Sequence, residues 1–166
     1  MARRRMLRTS FPVFDADLVE FLESGCSTIV GLVTVDGEPY ATRGWGIEVL
    51  RGDPPRLRLL VGAGPMAAAG WGSGDRFAIA VTGANVLTLR SVQVKGTAHG
   101  LEPTTDEDRA RSQAFCEAFF ADVQETDDVP RELMQRLVPA DLLACTVEVA
   151  EVYDQTPGPA AGARLA

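Results

Sequence analysis

The sequence predicts a mainly β protein: a six-stranded antiparallel β-barrel with peripheral helices. Six segments rich in β-branched and apolar residues recur along the 166-residue chain. Turn residues rather than long helices separate most of them, which favours antiparallel pairing. Six short strands in an open sheet would expose their edges, and closing the sheet removes that liability.

Residues 15–24 read as a short helix: Asp15 is placed to cap it, Leu18, Val19, Phe21 and Leu22 form an apolar stripe, and Gly25 ends it. The period then changes, and residues 26–35 suit a buried strand. Asp36-Gly37 signals a type I′ hairpin, since both central positions of that turn need positive φ. Residues 40–50 return as the second strand, where Gly44 and Gly46 leave room for something to approach the backbone. Residues 57–62 form the third strand, residues 66–71 one or two helical turns, and residues 76–82 the fourth strand. Residues 86–99 form a long fifth strand bent at Gly96.

Thr104 and Glu107 are spaced as a capping box for a helix reaching about residue 123, with Ala110, Ala114, Phe115, Ala118 and Phe119 along one face. A shorter helix starts near Pro130 and stops before Pro139. Residues 142–153 form the sixth strand. The expected organisation is a flexible arm over 1–13, one barrel domain over 14–154 and an extended tail over 155–166.

Apolar residues make up 46% and charged residues 23%, as in a globular domain large enough to build a core without disulfides or metals. The net charge of −7 disfavours nucleic acid and anionic membrane as partners. No stretch approaches the ~18 apolar residues of a membrane span, and the basic N-terminus has no apolar region after it, so the expected location is cytoplasmic. Cys26, Cys116 and Cys145 lie far apart in apolar contexts, without metal-ligand spacing, and read as buried free thiols.

The most informative segment is Arg90-Ser91-Val92-Gln93-Val94-Lys95-Gly96. On a strand, Val92, Val94 and Ala98 face a core, while Ser91, Gln93, Lys95, Thr97 and His99 face the other way. That second face carries the only lysine and the only histidine of the chain. It reads either as a row of donors for a polar ligand or as a solvated outer face. Arg43 and Trp45 share a face with a glycine on each side of Trp45; the pair suits a phosphate and a planar ring, or a surface arginine beside a core tryptophan. Phosphate-loop, dinucleotide and Ser-His-Asp patterns are missing from the sequence. Asp106, Glu107 and Asp108 fit a first helical turn, where they complement the helix dipole.

The order of elements, from the Asp-Gly hairpin through Pro39…Arg43 and Arg90…Gly96 to two helices and a last strand, resembles the pyridoxamine 5′-phosphate oxidase-like family of FMN-binding split barrels. The ending Val152-Tyr153-Asp154-Gln155-Thr156-Pro157-Gly158-Pro159-Ala160-Ala161-Gly162 is similar to the tail of an uncharacterised subgroup of that family. The resemblance spans roughly residues 14–163. It implies a split β-barrel, a homodimer, and flavin sites at the subunit interface, with basic residues on the phosphate and the ring against strand backbone. Arg43 matches the family's strand arginine, and Arg90 and Gly96 match the ends of its Arg-Gln-Val-Arg-x-x-Gly strand.

Two departures qualify the match. Ser91 stands at the family's glutamine, with Gln93 two residues on. Pro65, Met66 and Ala67 stand where the family has a phosphate-binding Ser-x-Lys, a loss that weakens FMN by roughly ten- to a thousandfold unless Arg43, Arg90 or Lys95 compensates. The resemblance implies an FMN-dependent oxidoreductase for an unknown small molecule, distinct from a true pyridoxamine phosphate oxidase. Arg43 and Lys95 would hold phosphate, Ser91 and Gln93 would bond the ring's polar edge, and Trp45 would flank it. The alternatives are a non-catalytic protein binding haem, a deazaflavin or another planar ligand, and a dimeric barrel that has lost its cofactor.

Overall fold

The computed structural model describes residues 14–165, so the arm expected over 1–13 lies outside the described residues. In chain order the elements are α1 (Ala16–Glu23), β1 (Ser27–Val33), β2 (Pro39–Leu50), β3 (Arg56–Gly62), α2 (Ala63–Ala68), β4 (Arg76–Ala84), β5 (Ser91–Pro103), α3 (Asp106–Asp127), α4 (Arg131–Gln135) and β6 (Leu142–Asp154). All strand pairs are antiparallel, and the sheet closes in the order β1-β2-β3-β6-β5-β4. The expected six-stranded barrel with peripheral helices is therefore the fold.

Local chemistry sets the ends of the elements. Asp15 accepts a hydrogen bond from the Leu18 amide at 2.8 Å, and Gly25, at φ 82°, turns the chain out of α1. The β1–β2 hairpin forms, but not as a type I′ turn. Gly37 takes φ 90° while Asp36 stays out of the left-handed region, and the Gly37 amide donates to Thr34 O at 3.0 Å. A single left-handed glycine suffices for this longer, bulged closure.

The capping box of α3 sits one residue later than expected. Thr105 and Asp108 exchange the two bonds, at 3.1 and 2.9 Å, so Thr104 and Glu107 stand outside it. β5 likewise begins at Ser91 rather than at residue 86. Asn85 Oδ1 gathers the amides of Leu87 and Thr88 at 3.0 and 2.8 Å, and Leu89 takes φ 61°, so this stretch is a turn.

The barrel interior holds the inward residues Val30, Ile47, Leu59, Val81, Val94 and Val147. A second apolar cluster lies outside the wall, where α3 brings Phe115, Phe119 and Phe120 onto Leu60 and Trp45. Each such phenylalanine contributes about 2–3 kcal/mol of burial. The buried stripe of α3 runs through Asp108, Ser112, Phe115 and Phe119, whereas Ala110 and Ala114 are exposed.

The tail does not run out extended. Gln155 donates its amide to Ser91 O on one edge of β6, and the chain then turns back. It pairs with the opposite edge through Tyr153 and Arg164. Among the described residues, no helix is long and apolar enough to cross a membrane.

Candidate functional site

Helix α3 packs onto β2 and β3 through Trp45 and Leu60. The outer face formed by the first half of β2 with β1, β4 and β5 is left open, and Ile29 and Val33 of β1 are 42% and 46% exposed on it. Strand register lines up the outward side chains in rows. Arg43 pairs with Ile29, Ile29 with Thr82, Thr82 with Gln93, and Gln93 with Tyr153. In the next row Ala41 pairs with Gly31, Gly31 with Ala80, Ala80 with Lys95, and Lys95 with Glu151.

The second row is a floor almost without side chains. A Cβ placed on Gly31 would meet only Ala80 O, at 3.9 Å. A shallow groove of about 570 Å³ lies over this floor, lined by Gly31, Val33, Pro39, Ala41, Ala80 and Lys95. At a strand spacing of about 4.8 Å, the floor from β2 to β5 is about 14 Å wide, enough for a fused ring system. Lys95 closes the β5 side of this groove, while Arg43 stands on the same face one row away, opposite Ile29. The Lys95 ammonium rests 4.7 Å from the centroid of the Tyr153 ring, a cation–π contact. Gln93 donates its side-chain amide to Thr82 Oγ1 at 3.1 Å and so lies flat along the rim.

Of the residues expected to bind a cofactor, Arg43, Gln93 and Lys95 share this face, and the other three stand elsewhere. Trp45 is 2% exposed beneath α3, because a bulge between Gly44 and Ile47 lets Trp45 and Gly46 both point outward, under the helix. The glycines beside it serve the protein's own packing: a Cβ on Gly44 would come within 2.5 Å of Thr28 Cγ2. Arg90 is held by Asp17 of α1, at 2.5 and 3.2 Å, and its guanidinium lies over the Phe21 ring. Ser91 is 9% exposed, its hydroxyl donating to Gly83 O at 3.2 Å and its amide donating to Thr156 Oγ1 at 3.1 Å.

His99 lies four residues beyond Lys95, about 13 Å along the strand. Its Nε2 is 3.3 Å from Glu148 Oε1, in a charged group with Arg76 that is separate from the groove. Burial pushes the Cys145 thiol up to about 12 and raises the Cys26 and Cys116 thiols as well, so none is poised as a nucleophile. Among the described residues, no group of three or more potential metal ligands occurs.

Sequence reading missed the floor itself. Gly31, Ala41 and Ala80 are unremarkable singly, and only the pairing of β1 with both β2 and β4 brings them side by side. The type I′ turn expected at Asp36-Gly37 would set Gly31 opposite Thr42, whereas the bulged closure that forms sets it opposite Ala41. Thr82 and Tyr153 were missed for the same reason, being remote in sequence from the residues they adjoin.

No family profile and no curated protein matches the sequence. Solved structures do match in fold. HupZ of Group A Streptococcus superposes with a TM-score of 0.51 at 14% identity, covering 90% of this chain and 100% of its own. A histidine-to-alanine variant of the same protein gives 0.50 at 13% identity, covering 86% and 99%. A pyridoxamine 5′-phosphate oxidase-related, FMN binding protein of Nostoc punctiforme gives 0.46 at 11% identity, covering 92% and 88%. What this likeness shows is the fold, a closed six-stranded antiparallel barrel with peripheral helices like that of HupZ.

The open face offers a floor almost without side chains, the Lys95 ammonium at its β5 side and the Gln93 amide in the adjoining row. The segment after β3 contributes no cation. It forms α2, Ala63–Ala68, with Met66 turned into the core at 1% exposure.

Proposed function

We propose that this protein binds a flavin-type cofactor, FMN, on the open face of the barrel, with a second copy of the chain closing over it. The aligned floor of Ala41, Gly31 and Ala80 that ends at Lys95, with Arg43 in the adjoining row, carries this reading. The floor admits a ring against strand backbone. Arg43 or Lys95 neutralises the phosphate, and Gln93 with Thr82 offers hydrogen bonds to the ring's polar edge. Apolar side chains left bare beside the groove, Ile29 and Val33, suit coverage by a partner subunit that excludes water.

FMN, when bound, supplies hydride and electron transfer, and the reading is then an oxidoreductase acting on a small molecule. The chain's own residues bind, orient and shield; no side chain on this face need act as acid or base. Titration of the purified protein with FMN, followed by flavin fluorescence, tests the proposal. Saturable quenching with a Kd in roughly the micromolar range is the expected result. Absence of binding at about 100 μM FMN would overturn it. A Soret band on adding haem, or selective binding of a deazaflavin, would assign the face to another planar ligand.

A further inference from the structure

Lys95 is the only lysine of the chain, and its direct cross-strand neighbour is Glu151. Opposed Lys and Glu side chains on one face of an antiparallel pair attract each other, and pairing them would silence the ammonium. The structure holds a different arrangement. Lys95 lies over the Tyr153 ring, and the Glu151 carboxylate is 3.6 Å from Arg164.

The fold of the tail explains how Arg164 gets there. β3 pairs with β6 as far as Glu148, the Val149 amide adds one bond to Pro55 O at 3.0 Å, and beyond that this edge of β6 has no bond from β3. Residues 163–165 fill that edge: Asp154 donates its amide to Ala163 O at 2.9 Å, and Leu165 donates to Val152 O at 2.8 Å. Tyr153 and Arg164 are thereby paired, and the Arg164 side chain is delivered beside Glu151. A bulge contributes too. The register steps from Lys95–Glu151 to Gly96–Val149, which leaves Ala150 extra on β6.

We propose that Arg164 is a positioning residue for Lys95: by engaging Glu151, the folded tail leaves the ammonium on the ligand face available to an anionic group of the ligand. The inference rests on the reading of that face as a cofactor site. It makes the C-terminal residues part of the site through charge, without contact to the ligand. Both members of the Arg164–Glu151 pair are partly exposed, so the effect is modest, about two- to fivefold.

A single lysine makes the test direct. Acetylation of Lys95 by the neutral reagent N-hydroxysuccinimidyl acetate, read by mass spectrometry of its peptide, reports how available the amine is. Arg164→Gln should slow that reaction about two- to fivefold and weaken FMN binding by a similar factor. Arg164→Lys should keep both near wild type, and Arg164→Gln combined with Glu151→Gln should restore both. A double variant as slow as the single one, or an Arg164→Gln variant identical to wild type, would overturn the proposal. If the acetylation pattern holds while no form, wild type included, binds FMN, the positioning role stands and the flavin reading fails.

Discussion

Asp108, in the first turn of α3, grips Arg58 of β3 with both carboxylate oxygens, each at 2.7 Å from a guanidinium nitrogen. The carboxylate is 1% exposed, so the pair ties the helix to the barrel wall from inside the seam. The hydrogen bonds from Arg58 hold the Asp108 carboxyl at about 2, below its ordinary value of 3.8, against the opposing effect of burial. A carboxyl depressed on folding stabilises the protein above the unfolded value and loses that contribution as pH falls through the folded one. The contribution is about 2 kcal/mol, and urea unfolding midpoints should decline between about pH 4 and pH 2.

Asp108→Ala tests the same pair at neutral pH. It leaves Arg58 with Glu102, at 2.7 Å, but strands the buried side of the guanidinium. A loss of about 2–4 kcal/mol is expected in denaturant melts, and that slope of stability between pH 4 and pH 2 should flatten. A variant that retained the slope would locate the acid-sensitive group elsewhere.

Gly31→Val separates folding from binding. The added side chain enters open space above the floor, since its Cβ meets nothing closer than Ala80 O at 3.9 Å. The thermal midpoint should stay within a few degrees of wild type, while FMN binding falls at least about tenfold because the ring loses its seat. Unchanged affinity in this variant would move the ligand off this face.

Arg43→Gln and Lys95→Gln each remove one cation from the open face. The one that contacts phosphate should cost about 1.5–3 kcal/mol, or ten- to a hundredfold in Kd, and the effect should shrink at high salt. Arg90→Gln should leave the affinity near wild type, because Arg90, just before the start of β5, is engaged by Asp17 of α1.

Ile29→Arg tests the second copy. This position is 42% exposed and lies in the row that begins at Arg43, so a charge there would be buried unpaired by a partner subunit. Light scattering after size exclusion should show a dimer for wild type and a monomer for the variant. A monomeric wild type would remove the partner from the proposed site.

Much of the fold was legible because its signals are local. The Asp15 cap, the Gly37 turn, the Phe115 and Phe119 stripe and the inward run of Val92, Val94 and Ala98 each depend on residues a few positions apart. Errors of one step, such as Thr104 for Thr105, arose where neighbouring residues of like chemistry compete for one role. Strand alternation likewise put Gln93 and Lys95 on one outward face. It could not say that Trp45 would be roofed by α3, because that depends on a bulge and on a helix some sixty residues away.

Period and turn chemistry in the sequence alone determined a closed antiparallel barrel, its strand parity and the Asp15 cap of α1. Only the tertiary structure decided which outward residues become neighbours, because register between β1, β4 and β5 is set by packing of inward side chains across distant segments. That packing assembles Gly31, Ala41 and Ala80 into a floor, turns Arg90 and Ser91 to structural use, and brings Arg164 back to Glu151.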